Sequence, residues 1–561
     1  MKKIKKLLAS IYNCELEGPF IQSLIAKVEQ QKKTVTRVRK QGWDESDVVL
    51  ITYADQFHCD HQKTLKTLDD FYHRRLKNTF SHVHLLPFYP WSSDDGFSVI
   101  DYHQVDPLCG DWQDIAHLNQ STKLMFDFVC NHISAKSEWF QGYLSGQEKY
   151  QNFFVSVDPK TDLSAVTRPR ALPLLSPFIL ADGTQQHIWT TFSDDQIDLN
   201  FANPQVLLAM VDVLLHYLQE GTEYIRLDAV GYMWKTIGTS CIHLEKTHQL
   251  VKLFRAVVDE VAPGTVLITE TNVPHKDNIS YLGNGHDEAH MVYQFPLPPL
   301  VLHAIHTGSA QALSRWAASL DDAGNGHTTW FNFLASHDGI GLNPLRGILP
   351  EEEILHLVAD LQAEGALVNW KNNPDGTRSP YEINVTYMDA LNKRNSSDEQ
   401  RLARFILAHA ILLTFPGIPA IYVQSILGSR NDYEGVEHLG YNRAINRQKY
   451  DLNEIESQLD GGNPLRQQVF TQLSHLVAVR KKQSAFHPAS SFVANAYCEN
   501  LLVIQRSSTG GENILALFNL SDSVQSFPLP DNNFHELIAD REIRGNQSYD
   551  MQPYQALWLS Y

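Results

Sequence analysis

The stretch EYIRLDAVG at 223–231 decides the fold. It is short, rich in residues that favour strands, and apolar at its centre apart from Arg226 and Asp228. Before it lies PQVLLAMVDVLLHYLQE (204–220), with Asn203 to cap a helix, Pro204 in its first turn and Gly221 to stop it. After it comes a second helical pattern, THQLVKLFRAVVDE (247–260), ended by Pro263–Gly264 and followed by the apolar run TVLITET (265–271). Strand, helix, strand in this order means a parallel pair joined by a right-handed crossover.

Working outward, the same kind of run recurs at VVLITYAD (48–55), HVHLLPF (82–88), KLMFDFVCNH (123–132) and TWFNFLASHD (329–338). These are near-continuous apolar runs rather than strict alternations, as strands buried on both faces should be. At this length and repeat count the pattern predicts an α/β fold, a closed (β/α)8 TIM barrel, rather than an open doubly wound sheet. No glycine-rich phosphate loop follows the first strand, which weighs against a dinucleotide-binding fold.

The 561 residues exceed what one hydrophobic core organises. The rhythm divides the chain into an N-terminal helical extension (1–45), barrel segments at 46–133, 201–338 and 386–487, and two insertions. Residues 134–200, rich in Pro, Ser, Thr and Asp, form insertion B. Residues 339–385 form insertion B′, whose polar stretch KNNPDGTRSPYE (371–382) is a candidate mobile lid. From residue 488 onward NLLVIQRS, NILALFNL and ALWLSY predict a C-terminal antiparallel β-domain (488–561).

A net charge of −18 argues against nucleic acid as a partner, since a phosphate-binding surface needs a basic stripe and the sequence shows none. The six cysteines (Cys14, Cys59, Cys109, Cys130, Cys241, Cys498) form no CxxC pair and suit a reducing compartment, so the expected location is cytoplasmic. The lysine-rich start, Met1 to Tyr12, has too short an apolar stretch for a signal peptide and is expected to be a basic amphipathic surface helix. No apolar run is long enough for a membrane span. An oligomer is left open.

Active sites of α/β barrels lie at the C-terminal ends of the strands. Several of these strands end in ionisable residues: Asp127 with Asn131–His132, Arg226 with Asp228, Glu270, and His337–Asp338. One aspartate at a strand end is usually a cap or turn former, and Arg226–Asp228 alone could be a structural ion pair. Carboxylates from four strands on one rim instead point to a catalytic cluster. Side chains alternate along a strand, so Arg226 and Asp228 share a face, and the arginine should lower the Asp228 pKa and keep it ionised, as a nucleophile needs. Glu270 follows Val266, Leu267 and Ile268; burial and the charge of Asp228 should raise its pKa, as a general acid needs. A carboxylate pair with opposed environments is suited to glycoside cleavage, with retention if their oxygens lie about 5–5.5 Å apart.

FDFVCNH, IRLDAV, ITETNVPH and FLASHD resemble the four signature segments of the α-amylase family of glycoside hydrolases and transglycosylases, glycoside hydrolase family 13. HVHLLPFYPWSSDDGFSVIDYHQVDPLCGDW (82–112), RLDAVGYMWKTIGTSC (226–241), VYQFPLPPLVLHAI (292–305), SHDGIGL (336–342) and YNRAINRQKY (441–450) are similar to its sucrose phosphorylase subgroup. The resemblance covers the chain after about residue 45. It implies Asp228 as nucleophile, Glu270 as acid/base and Asp338 as transition-state stabiliser. His132, Arg226 and His337 would bind glucosyl hydroxyls, Asp94 and Arg443 would close the far end of the pocket as a pair, and Phe97 would wall it. No cofactor is implied, neither pyridoxal phosphate nor a metal, although Asn131 stands where many amylases help to bind calcium.

Within this resemblance inorganic phosphate, rather than water, would attack a glucosyl intermediate on Asp228. The partners would be a small-molecule α-glucoside and phosphate, with Arg168, Arg170, Tyr232, Lys276, Arg378 and Tyr381 as candidates for the phosphate and acceptor side. Two positions depart from the sucrose phosphorylase pattern: Asn272 replaces a histidine, and Tyr381–Glu382 replaces Tyr-Gln. ETNVPHKDN, YADQFH and the long N-terminus look most like glucosylglycerate phosphorylases, whose substrate would be 2-O-α-glucosyl-D-glycerate. Phosphorylases of sucrose, sucrose 6′-phosphate or glucosylglycerol are the near alternatives, an α-glucoside hydrolase a further one, and a non-catalytic sugar-binding protein a remote one.

Overall fold

Eight parallel strands close into a barrel: β1 (Val49–Thr52), β2 (His82–Leu85), β3 (Lys123–Val129), β4 (Tyr224–Asp228), β5 (Val266–Thr269), β6 (Met291–Tyr293), β7 (Thr329–Asn332) and β8 (Ile418–Tyr422). The structure is a computed structural model, and it describes residues 1–320, 326–373 and 376–561. Each strand pairs with its sequence neighbours, and β1 closes the ring by pairing with both β2 and β8. All four residues of β1, β2, β5 and β7 are buried, as expected for strands covered on both faces.

The sequence shows no strand signal at β6 and β8. β6 is only three residues long, and β8 carries Pro419 inside and Gly417 before it. Gly417 is needed there: at φ 131° a side chain would press its Cβ to 2.6 Å from the Trp330 carbonyl oxygen.

The N-terminal extension forms two helices, α1 (Lys2–Tyr12) and α2 (Pro19–Thr34). The basic α1 buries Ile4, Leu8 and Ile11 at helical spacing. Both pack outside the layer formed by α3 (Pro204–Gln219) and α4 (Glu245–Val261), the helices that flank β4. Asn203 caps α3 through the Gln205 amide at 3.0 Å. Buried Arg39 donates to the Leu218 and Thr222 carbonyls, which satisfies the end of α3 just before β4 begins.

In the segment 134–200, a hairpin (Leu175–Ile179 with Gln185–Trp189) follows a short helix, Glu138–Leu144. The segment returns to the barrel through His132–Ser134 paired with Gln196–Asp198. Lys235 seals this junction: its ammonium lies 2.6 Å from Asp198 and 2.9 Å from the Asn131 side-chain oxygen. The expected lid at 371–382 lies in a hairpin, Leu367–Asn372 with Arg378–Asn384, which also pairs with Ile340–Gly341. Residues 374–375 of that stretch lie outside the described residues.

At the C-terminus lies a six-stranded antiparallel sheet whose central strands, Leu501–Ser507, Asn513–Asn519 and Ala556–Ser560, are buried on both faces. Leu502, Ile504, Ile514, Phe518 and Trp558 join the barrel core, while Leu501, Val503, Leu515, Leu517 and Leu559 form a separate cluster on the other side. Among the described residues, no helix is long and apolar enough to cross a membrane.

Lys235 is 5% exposed and Asp198 fully buried, so breaking their pair strands a buried carboxylate. Lys235→Met should lower the unfolding free energy by about 3–5 kcal/mol, measured by urea denaturation. An unchanged midpoint would mean that Asp198 is compensated elsewhere.

Candidate active site

Asp228 ends β4 and Glu270 follows β5, and the main chain joins the two strand ends. The Glu270 amide donates to the Leu227 carbonyl at 3.1 Å, and the Ala229 amide donates to Glu270 Oε2 at 3.1 Å. To present that amide, Ala229 adopts φ 49°, a left-handed backbone that a residue with a Cβ adopts at a cost.

Beneath them Arg226 Nη1 donates at 2.6 Å to both Asp228 and Asp127, and Nη2 lies 3.7 Å from Glu270. Asp127 is held from its other side by His84 Nε2 at 2.7 Å. The guanidinium also lies 5.3 Å from the ring centre of Tyr293 and 5.6 Å from that of Phe97.

Burial raises the Glu270 pKa to about 7; Arg226 opposes the shift, and the charges of Asp228 and Asp338 add to it. Glu270 can therefore hold a proton near neutrality. Asp228 departs from the sequence expectation. Its desolvation outweighs the arginine, so its pKa is raised rather than lowered. The guanidinium contact is nevertheless far shorter for Asp228 than for Glu270, which favours charge on Asp228 and the proton on Glu270.

The third carboxylate, Asp338, is ionised. Burial works against its charge, and His337 and Arg443 reverse that. Burial itself holds His337 down to about 3 and hence neutral at pH 7, so the Arg443 guanidinium, 2.7 Å from Asp338, is the charge that counts.

One pocket brings together Asp94, Phe97, His132, Arg170, Arg226, Asp228, Tyr232, Glu270, Asn272, His337, Asp338, Tyr381, Glu382 and Arg443. Phe97 stacks on His337 with ring centres 4.7 Å apart, and its carbonyl lies 2.9 Å from His132 Nε2. Asp94 and Arg443 form the expected pair at a long 3.9 Å, and Arg443 lies closer to Asp338, at 2.7 Å, and Glu382, at 2.8 Å. Asp94 also meets the Gln196 amide at 3.2 Å and Arg170 at 3.4 Å. Glu382 lines the pocket as expected, and its oxygens accept from Arg443, the Gly339 amide and Asn369, so it fastens Arg443.

Three basic candidates do not reach this pocket. Arg168 turns to the Leu172 carbonyl, Arg378 is exposed beside the Trp370 ring, and Lys276 sits on the outlying helix His275–Ile279. Arg170 does reach it, over the Phe192 ring at 5.3 Å. Asn131 faces Lys235 and Asp198 outside the pocket. Phe192, Gln196, Phe295 and Phe333 also line the pocket; the three phenylalanines stand in loops and Gln196 in a three-residue strand, where a single sequence offers no periodicity to mark them.

A closed parallel barrel with an acid, an ionised carboxylate and a buried arginine at its C-terminal rim defines the class. The chain belongs to the α-amylase family: the model of the alpha amylase catalytic domain matches residues 76–340. It is 61% identical over 558 residues, 100% of both chains, to the glucosylglycerate phosphorylase of Escherichia coli (strain K12). It is 48% identical to the glucosylglycerate phosphorylase of Allomeiothermus silvanus, covering 93% of this chain and 92% of the relative. Among solved structures it resembles sucrose 6F-phosphate phosphorylase from Thermoanaerobacter thermosaccharolyticum, with a TM-score of 0.74, 26% identity, and 87% and 95% of the two chains covered.

With Glu270 titrating at about 7, the pH profile of kcat/KM should fall on the alkaline side of that value, because the acid is lost. Glu270→Gln should lower kcat by about 10²–10⁴-fold. A profile flat from pH 6 to pH 9 in the unaltered enzyme would contradict the assignment.

Proposed function

We propose that the chain is a retaining phosphorylase. It cleaves 2-O-α-glucosyl-D-glycerate with inorganic phosphate to α-D-glucose 1-phosphate and D-glycerate. The observation that carries this reading is the pairing of Asp228, fastened by Arg226, with Glu270 near pKa 7, in a chain 61% identical to a glucosylglycerate phosphorylase.

An oxygen of Asp228 attacks the anomeric carbon as Glu270 gives its proton to the bridging oxygen, and glycerate leaves. A phosphate oxygen then attacks the same carbon from the opposite face. The bond to Asp228 breaks, and Glu270, now a carboxylate, takes the phosphate proton. Asp338, His132, Arg226 and His337 hold the glucosyl ring. Arg170 reaches into the pocket as a cation suited to an entering phosphate or a departing carboxylate. Asn272 Oδ1 has no hydrogen-bond partner within the protein, which suits a contact to an acceptor hydroxyl. The six free cysteines accord with a cytoplasmic enzyme.

A panel of glucosylglycerate, sucrose, sucrose 6′-phosphate and glucosylglycerol, each with phosphate, tests the reading. Glucose 1-phosphate is expected from glucosylglycerate. Its release from a different member alone would move the acceptor assignment, and free glucose without phosphate dependence would make the enzyme a hydrolase. Asp228→Asn should abolish turnover; surviving activity would refute the nucleophile.

A further inference from the structure

Two charged residues behind the pocket, Asp95 and Arg447, do not line it, yet they tie together the segments that form its closed end. Arg447 is 4% exposed and follows the turn Asn442–Asn446 that carries Arg443. Its Nη1 lies 2.6 Å from Asp95 Oδ2, and its Nε donates to the His337 carbonyl at 2.8 Å. Tyr441 donates its hydroxyl to the same Asp95 oxygen at 2.5 Å.

Asp95 needs such a partner because its backbone is strained. Asp94, Asp95 and Gly96 take φ values of 54°, 45° and 106°, three left-handed residues in a row, two of them bearing a Cβ. The turn is also pressed against the end of β2, where a Cβ on Gly96 would stand 2.5 Å from the Pro87 carbonyl oxygen. This conformation delivers Asp94 and Phe97 to the pocket, and Phe97 in turn stacks on His337.

We propose that Arg447 is a positioning residue which, by clamping Asp95 and the His337 carbonyl at once, sets the shape of the pocket end that receives the glucosyl ring. It touches no substrate; it acts through Asp94, Phe97, His337 and Arg443. The proposal rests on reading this pocket as the glucosyl site. It separates the two ends of the pocket: Arg447 governs the glucosyl end and leaves the acceptor end, with Asn272 and Tyr381, alone.

The test measures Arg447→Met, Arg447→Lys and the milder Asp95→Asn in the full chain, in both reaction directions, with thermal unfolding in parallel. Arg447→Met should raise KM for glucosylglycerate and for glucose 1-phosphate and lower kcat/KM for both by about 10²-fold. KM for glycerate and for phosphate should stay unchanged. Asp95→Asn should act in the same direction more weakly. Arg447→Lys should recover only part of the loss, since one ammonium cannot hold both partners in the same geometry. A fall in kcat with every Michaelis constant unchanged, alongside a lower melting temperature, would reduce Arg447 to a stabilising ion pair and overturn the proposal. So would wild-type kinetics in all three variants. If the unaltered enzyme does not act on glucosylglycerate, the functional reading fails separately, and the same comparison with the glucoside it does cleave decides the clamp.

Discussion

The site depends on one buried guanidinium. Arg226 is 1% exposed, and its cation is shared by Asp127 and Asp228 at 2.6 Å and Glu270 at 3.7 Å. Removing it would leave three buried carboxylates without their shared guanidinium, and stranded buried charge is strongly destabilising. The fold produces the contact by register. Arg226 stands opposite Asp127 on β3 and Ile268 on β5, and the alternation along β4 sends Asp228 inward two residues later. Geometry at the arginine then separates two chemically similar acids: the short contact favours charge on Asp228 and the longer one favours the proton on Glu270.

The rest of the site is arranged outward from that centre. Two backbone amides join the ends of β4 and β5, the Glu270 amide to the Leu227 carbonyl and the Ala229 amide to the Glu270 carboxylate, so the main chain sets where Glu270 stands relative to Asp228. Further along the pocket a second arginine, Arg443, repeats the logic by collecting Asp338 and Glu382. Loops close the pocket, and the insertion that supplies Arg170, Phe192 and Gln196 is anchored at its return by Lys235 and Asp198. The two N-terminal helices pack on the far side of α3 and α4, behind β4.

How much of this was legible in the sequence follows from which signals are local. The six strands with long apolar runs, the Asn203–Pro204 helix start and the polar residues at strand ends are local, and they suffice for a parallel barrel with a carboxylate cluster at its rim. β8 was hidden because Pro419 lies inside it, tolerable in a strand whose neighbours supply the packing, and β6 because three residues carry no period. The direction of the Asp228 shift was hidden because a sequence shows the neighbouring arginine but not the depth of burial. Arg168, Lys276 and Arg378 differ from Arg170 only in where loops turn them, which no spacing rule encodes. Glu382, Asp95 and Arg447 became intelligible only once tertiary contacts showed which charge each one faces.

The central claim is that Asp228 forms the bond to the sugar while Glu270 only moves protons. The most direct measurement is mass spectrometry of Glu270→Gln after reaction with α-glucosyl fluoride, a donor whose leaving group needs no acid. The account predicts a protein heavier by one glucosyl residue, with the label on the peptide containing Asp228 and its release accelerated by phosphate. A label on another carboxylate, or fluoride release with no protein-bound sugar at any time, would contradict it.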